Sequence, residues 1–124
     1  MSSSTQPVSH VIGIDVGGTK IGAGLMVFPE GRSVVKRTIS TQPARGGRAV
    51  LDDVLGLTRE LVGEAESAGA RVDSIGLGVC ELVDRQGNIA SANCIQWLDQ
   101  PVREQLAAIA PIVIEADVRA AALA

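Results

Sequence analysis

The sequence predicts an α/β domain built on a mixed sheet, and three observations carry that prediction. Short apolar runs bounded by glycine, proline and polar residues fill the first forty positions, as strands and their turns do. One long stretch over residues 48–68 carries its apolar residues at helical spacing. After it, apolar runs and helical patterns alternate, which is the signature of α-β units packed on a sheet. A chain of 124 residues fits one domain with a real core. Phe28 and Trp97 are its only aromatic residues, so that core is aliphatic. Fourteen glycines point to tight turns and close backbone approaches.

The elements follow in order. Residues 1–9 are polar and expected to form a disordered tail; they lack the charged start and long apolar stretch of a signal peptide. Val11-Ile-Gly-Ile-Asp-Val16 reads as a buried strand closed by Gly17-Gly18. Residues 20–28 read as a second strand. There Ile21, Ala23, Leu25 and Val27 alternate with Gly22, Gly24, Met26 and Phe28, a pattern that predicts cover on both faces. Pro29-Glu30-Gly31 supplies a turn, and Val34, Val35 and Ile39 mark a third strand over 33–40. Short turns between three strands make an antiparallel meander.

The long helix places Leu51, Val54, Leu55, Leu61, Val62 and Ala65 on one face, with Gly69 where a C-terminal cap belongs. Residues 74–79 form another buried strand, and 82–84 with 88–90 form a small hairpin around Arg85-Gln86-Gly87. Pro101 opens a short helix that runs through Ile109 and is ended by Pro111. Residues 112–115 are the last strand and 117–124 the start of another helix. That helix meets the end of the chain without a stop signal, so the chain is expected to be truncated within it. The order is β-β-β-α-β-α-β-α.

Composition removes several functions. The net charge is −3 and the basic residues are scattered, so no nucleic-acid footprint is expected. Cys80 and Cys94 are too few and too far apart for a zinc knuckle or a redox pair, and read as small buried residues of a reducing compartment, with a disulfide the lesser alternative. No run approaches the ~18 apolar residues of a membrane span. The protein is expected to be soluble and cytoplasmic, with no membrane partner.

The most informative stretch is Ile12-Gly-Ile-Asp-Val-Gly-Gly-Thr-Lys-Ile-Gly22. A strand delivers Asp15 at its end, and Gly17 and Gly18 turn the backbone into the next strand. Glycines let successive backbone N–H groups face a phosphate, Thr19 adds a hydroxyl and Lys20 a positive charge. Asp15 is placed to orient Mg2+ or its waters. The spacing and the following strand differ from a Walker A loop. A bare Asp-x-Gly-Gly is also an ordinary hairpin turn; the acid ending an apolar strand and the Thr-Lys after the glycines favour the phosphate loop.

This string resembles the first phosphate motif of the actin-like ATPase superfamily, and its IGIDVGGTK form is most similar to sugar kinases of the ROK family. The similarity continues through Gly76-Leu-Gly-Val79, Leu82-Val-Asp84, Gly87-Asn-Ile-Ala-Ser-Ala92 and Glu115-Ala-Asp-Val-Arg-Ala-Ala-Ala-Leu-Ala124. It implies an actin-like (ribonuclease H-like) domain over residues 10–124, the N-terminal lobe of a kinase whose C-terminal lobe this chain does not carry. It further implies a hexose or N-acetylhexosamine as acceptor, ATP as donor, Mg2+, and a homodimer of the full-length protein. The adenosine-binding segment and any structural zinc site would lie beyond Ala124, so the 124 residues alone are expected to be inactive.

Asp117 follows a buried strand at the start of a helix. On its own it reads as an N-cap; the resemblance makes it the match to the family's catalytic base, which accepts a proton from the sugar hydroxyl. The sugar side departs from the family. The Glu-Asn-Asp motif is Glu115-Ala116-Asp117 here, Cys80-Glu81 stands where Pro-Gly is usual, and Asn93-Cys94 where Pro-Asn is common. Val118-Arg119 also replaces the usual Ala-Asn. Glu81 either hydrogen-bonds an unusual substrate or disfavours one; Asn93 has either taken over a sugar contact or that contact is lost. Glu81, Asn93, Glu115 and Asp117 are thus the sugar-side candidates, with glucose, N-acetylglucosamine, N-acetylmannosamine and fructose all open. The alternative is a non-catalytic sugar sensor or pseudokinase. A DNA-binding repressor would need more than the ten or so residues before the phosphate motif, and a chaperone-like or filament ATPase would not match at both ends of the chain. Trp97 reads as a core plug or a sugar-stacking ring, with the plug the commoner role.

Overall fold

The computed structural model describes residues 8–81, 83–92 and 95–116. It contains β1 (Ser9–Val16), β2 (Lys20–Phe28), β3 (Arg32–Ser40), a 3-10 turn at Pro43–Arg45, α1 (Gly47–Ser67), β4 (Val72–Val79), α2 (Val102–Ala107) and β5 (Ile112–Ala116). The five strands form one sheet in the order β3-β2-β1-β4-β5. Tight turns join β1, β2 and β3, which pair antiparallel; β4 and β5 are reached by helical crossovers and pair parallel to β1 and to each other.

The alternation read in the sequence sorts the core. Ile12, Ile14 and Val16 of β1, Ile21, Ala23 and Leu25 of β2, and Ile75, Leu77 and Val79 of β4 are buried on the face that receives α1. The helix answers with Val50, Leu51, Val54, Leu61 and Ala65, and α2 adds Val102 and Leu106. Because α1 and α2 touch, both described helices lie on that same face. Gly13, Gly24 and Gly76 are register partners on the opposite face. The expected cover on both faces of β2 is therefore found on one face among the described residues. The glycines keep the middle of the other face low, and Met26 lies over Gly13, so Gly22, Gly24 and Met26 are half-buried there.

Element ends moved for physical reasons. β1 begins at Ser9 and β4 at Val72, because polar His10 pairs with Val72 and its N–H donates to the Asp73 carboxylate at 3.0 Å. α1 ends at Ser67, and Gly69 takes φ +76° as the expected cap, its N–H donating to the Glu66 carbonyl at 2.9 Å. The short helix is trimmed to Val102–Ala107, and the hairpin closes to one bridge, Val83 with Ile89. The Asp84 carboxylate holds its turn by accepting from the Gln86 and Asn88 N–H groups, both at 2.9 Å. The helix expected over 117–124 lies outside the described residues. No described helix is long and apolar enough to cross a membrane.

Gly47, the first residue of α1, sits hard against the segment after the hairpin. A Cβ there would collide with the Gln96 carbonyl oxygen and lie 2.6 Å from Trp97 Cα. Trp97, 1% exposed, fills the core beside it, so the plug reading holds. Its Nε1–H has no partner among the described residues.

Candidate active site

The candidate site lies at the C-terminal ends of β1, β4 and β5, the edge of an open α/β sheet where ligands bind. Val16 and Ile21 pair across the mouth of the β1-β2 hairpin, and the Gly17 N–H donates to the Lys20 carbonyl at 3.0 Å. Two residues, Gly18 and Thr19, form the tip and are exposed with Lys20.

Behind the tip stands Thr41, which is fully buried. Its hydroxyl donates to the Gly17 carbonyl at 2.7 Å and its N–H to the Thr19 carbonyl at 2.9 Å. Both loop carbonyls are thereby turned inward. No described carbonyl accepts from the Gly18 or Thr19 N–H. Arg45 extends the tie. Its Nη2 donates to the Thr41 carbonyl and to the Asp53 carboxylate of α1, both at 2.7 Å, and its Nε to the Gln42 carbonyl at 3.2 Å. Gln42 carries the left-handed backbone (φ 49°) that turns the chain there. Neither Thr41 nor Arg45 stands out in the sequence. Their partners lie up to 24 residues away, and no period or motif marks such a link.

Asp15 is exposed on the face away from α1 and takes part in no ion pair with a described residue. Its register partners are Gly22 and Gly78, and Gly78 in turn pairs with Glu115. Asp15 and Glu115 thus stand at one level of the sheet, two strands apart, with a glycine between them. Among the described residues no group of three or more His, Cys, Asp or Glu side chains forms a metal cage.

Glu81, just past β4, is buried at 3% exposure. Its Oε1 accepts from the Ser91 hydroxyl at 3.0 Å and its Oε2 from the Ile95 N–H at 2.8 Å. The structure thus brings Asp15, Gly17, Gly18, Thr19 and Lys20 together in one loop. It sets Glu115 level with them and ties Glu81 to the 91–95 segment. Asn93, Cys94 and Asp117 lie outside the described residues.

Comparison with known proteins gives a consistent result. The ROK family profile matches residues 11–124. A glucokinase of Streptomyces coelicolor is 32% identical over 114 residues, covering 90% of this chain and 33% of that protein. The crystal structure of a ROK family glucokinase from Streptomyces griseus, in complex with glucose and AMPPNP, superposes with a TM-score of 0.74 at 29% identity, over 92% of this chain and 35% of that one. A ROK hexokinase from Thermus thermophilus superposes with a TM-score of 0.70 at 35% identity, over 92% and 37% respectively. The chain spans about a third of the length of the curated relatives it matches. With a profile match along nearly its whole length and glucokinase relatives at this identity, the chain belongs to the ROK family and has the actin-like ATPase fold.

Proposed function

We propose that the protein transfers the γ-phosphate of ATP to a hydroxyl of a hexose or N-acetylhexosamine, and that residues 10–124 supply its N-terminal lobe, with phosphate loop and base. The observation that carries this reading is the back-tied loop. Thr41 engages the carbonyls of Gly17 and Thr19, which leaves the Gly18 and Thr19 N–H groups, the Thr19 hydroxyl and the Lys20 ammonium to a polyphosphate. Mg2+, held through water by Asp15, would supply charge neutralisation between phosphate oxygens.

On the acceptor side, Asp117 accepts the proton of the sugar hydroxyl as that oxygen bonds to the γ-phosphorus and ADP departs. Most of the rate then comes from alignment and charge stabilisation. Glu81, Asn93 and Glu115 belong to the same side. The similarity to a glucokinase that binds glucose and AMPPNP supports the substrate pair. The full-length protein works as a cytoplasmic homodimer without nucleic-acid or membrane partners, and the 124 residues alone do not turn over.

Sugar-dependent ADP release by the full-length protein, across hexoses and N-acetylhexosamines, tests the reading. Activity with one sugar, lost in Asp117→Ala, is expected. Silence across the panel from folded protein favours the second reading, a sugar sensor. That reading draws on the sequence reading alone: Ala116 and Glu81 replace the residues usual on the sugar side.

A further inference from the structure

Thr41, Thr58 and Glu81 are the buried polar residues among those described, and Glu81 alone of them carries a charge. Removing a carboxylate from water is costly unless its oxygens find donors, so such a group persists where it organises something. Two donors of Glu81 among the described residues point to what that is. Ser91 and Ile95 lie 10 and 14 residues downstream and bracket residues 93–94. Ile95 is itself fully buried, and Trp97 follows it into the core. One end of the bracketed segment is thus seated in the core and the other is held by the carboxylate.

Resting on the kinase reading of the acceptor side, we propose that Glu81 is a positioning residue: its carboxylate ties Ser91 and Ile95 to the end of β4 and sets sugar affinity through those two anchors. Both oxygens are engaged by donors of the chain, and at 3% exposure the carboxylate offers no face to a ligand the size of a sugar. The charge that replaces the family's usual glycine therefore acts on the loop opposite it. Asn93, the sequence candidate for a sugar contact, lies within the span it holds.

The experiment uses the full-length protein and its Glu81→Gln, Glu81→Ala and Ser91→Ala variants. Hydrogen–deuterium exchange reads the Ile95 amide, and calorimetry reads binding of glucose, N-acetylglucosamine, N-acetylmannosamine, fructose and AMPPNP. Glu81→Ala is expected to speed Ile95 exchange and to weaken the sugar that binds by about tenfold, the worth of one charge-assisted hydrogen bond, with AMPPNP unchanged. Ser91→Ala, which keeps the carboxylate, is expected to cost about threefold. Glu81→Gln keeps an acceptor for the Ile95 N–H and stays near wild type. Loss of sugar in Glu81→Gln equal to that in Glu81→Ala, with Ser91→Ala silent, would mean direct contact of the charge with sugar and overturns the proposal. Unchanged Ile95 exchange in Glu81→Ala overturns it as well. A wild type that binds none of these sugars defeats the kinase and sensor readings together and removes the role that rests on them. Sugar binding that ignores Glu81→Ala defeats the positioning role alone.

Discussion

Three glycines of α1 give a test in which one substitution changes sign along one helix. Replacing an exposed helical glycine by alanine stabilises by about 0.5–1 kcal/mol, because alanine has less backbone freedom to lose. Gly56 and Gly63 are exposed and an added methyl meets nothing within 4 Å, so Gly56→Ala and Gly63→Ala should each gain that amount. Gly47→Ala receives a similar propensity gain and loses more. Its methyl would collide with the Gln96 carbonyl and stand 2.6 Å from Trp97 Cα, both main-chain groups. Ordinary contact is restored only if that segment retreats by more than about 1 Å, which a close-packed interior resists. Overpacking of this kind costs about 1–3 kcal/mol or more, and drawing Trp97 out of its seat adds a share of a cavity penalty. A net loss of about 2–3 kcal/mol is expected, some 3 kcal/mol below the other two variants. Urea unfolding of the full-length variants, followed by circular dichroism, reads this as midpoints moving in opposite directions at unchanged slope. A Gly47→Ala midpoint at or above wild type would refute the steric argument, and a fall in Gly56→Ala would refute the propensity argument.

Thr41→Val keeps shape and removes the hydroxyl that holds the Gly17 carbonyl. A stability loss of about 1 kcal/mol and a several-fold rise in KM for ATP, with KM for sugar unchanged and Thr41→Ser near wild type, are expected in steady-state assays. Asp84→Ala removes the acceptor of two N–H groups and should cost about 1–2 kcal/mol in urea midpoint, with Asp84→Asn recovering about half. Arg37 pairs with Glu60 at 2.8 Å and with Glu64 at 3.4 Å, but its side chain is 37% exposed and those of the glutamates 50% and 44%. Arg37→Ala should therefore cost less than about 0.5 kcal/mol at low salt and nothing measurable at molar salt.

What was legible in the sequence follows from what leaves a local trace. The bounds of β2, residues 20–28, emerge unaltered because strict alternation is closed at both ends by turn residues. The heptad-like spacing of α1 likewise marks its buried face. Hydropathy stops short where the ladder recruits polar residues: Ser9 and His10 pair with Phe28 and Val27, yet nothing in their side chains announces it. The glycines of β2 read as small buried residues because pattern cannot tell a covered face from a bare one. At the candidate site, Asp15 and the 17–20 loop were visible as contiguous letters. The ties from Thr41 to Gly17 and from Glu81 to Ser91 and Ile95 were not, being single hydrogen bonds across 10 to 24 residues of chain.

The first turn of α1 has a mechanical consequence. Arg45, two residues before the helix, grips the Thr41 carbonyl behind the 17–20 loop and also Asp53 within the helix. Gly47 bears directly on Gln96 and Trp97, the continuation of the segment that Glu81 holds. Both loops therefore rest on one footing a few residues wide. A displacement of that footing would act on both loops at once. Phosphoryl transfer is sensitive to the separation of donor and acceptor far more than to their absolute position. For the phosphoryl transfer proposed above, a shared support would serve to hold that separation.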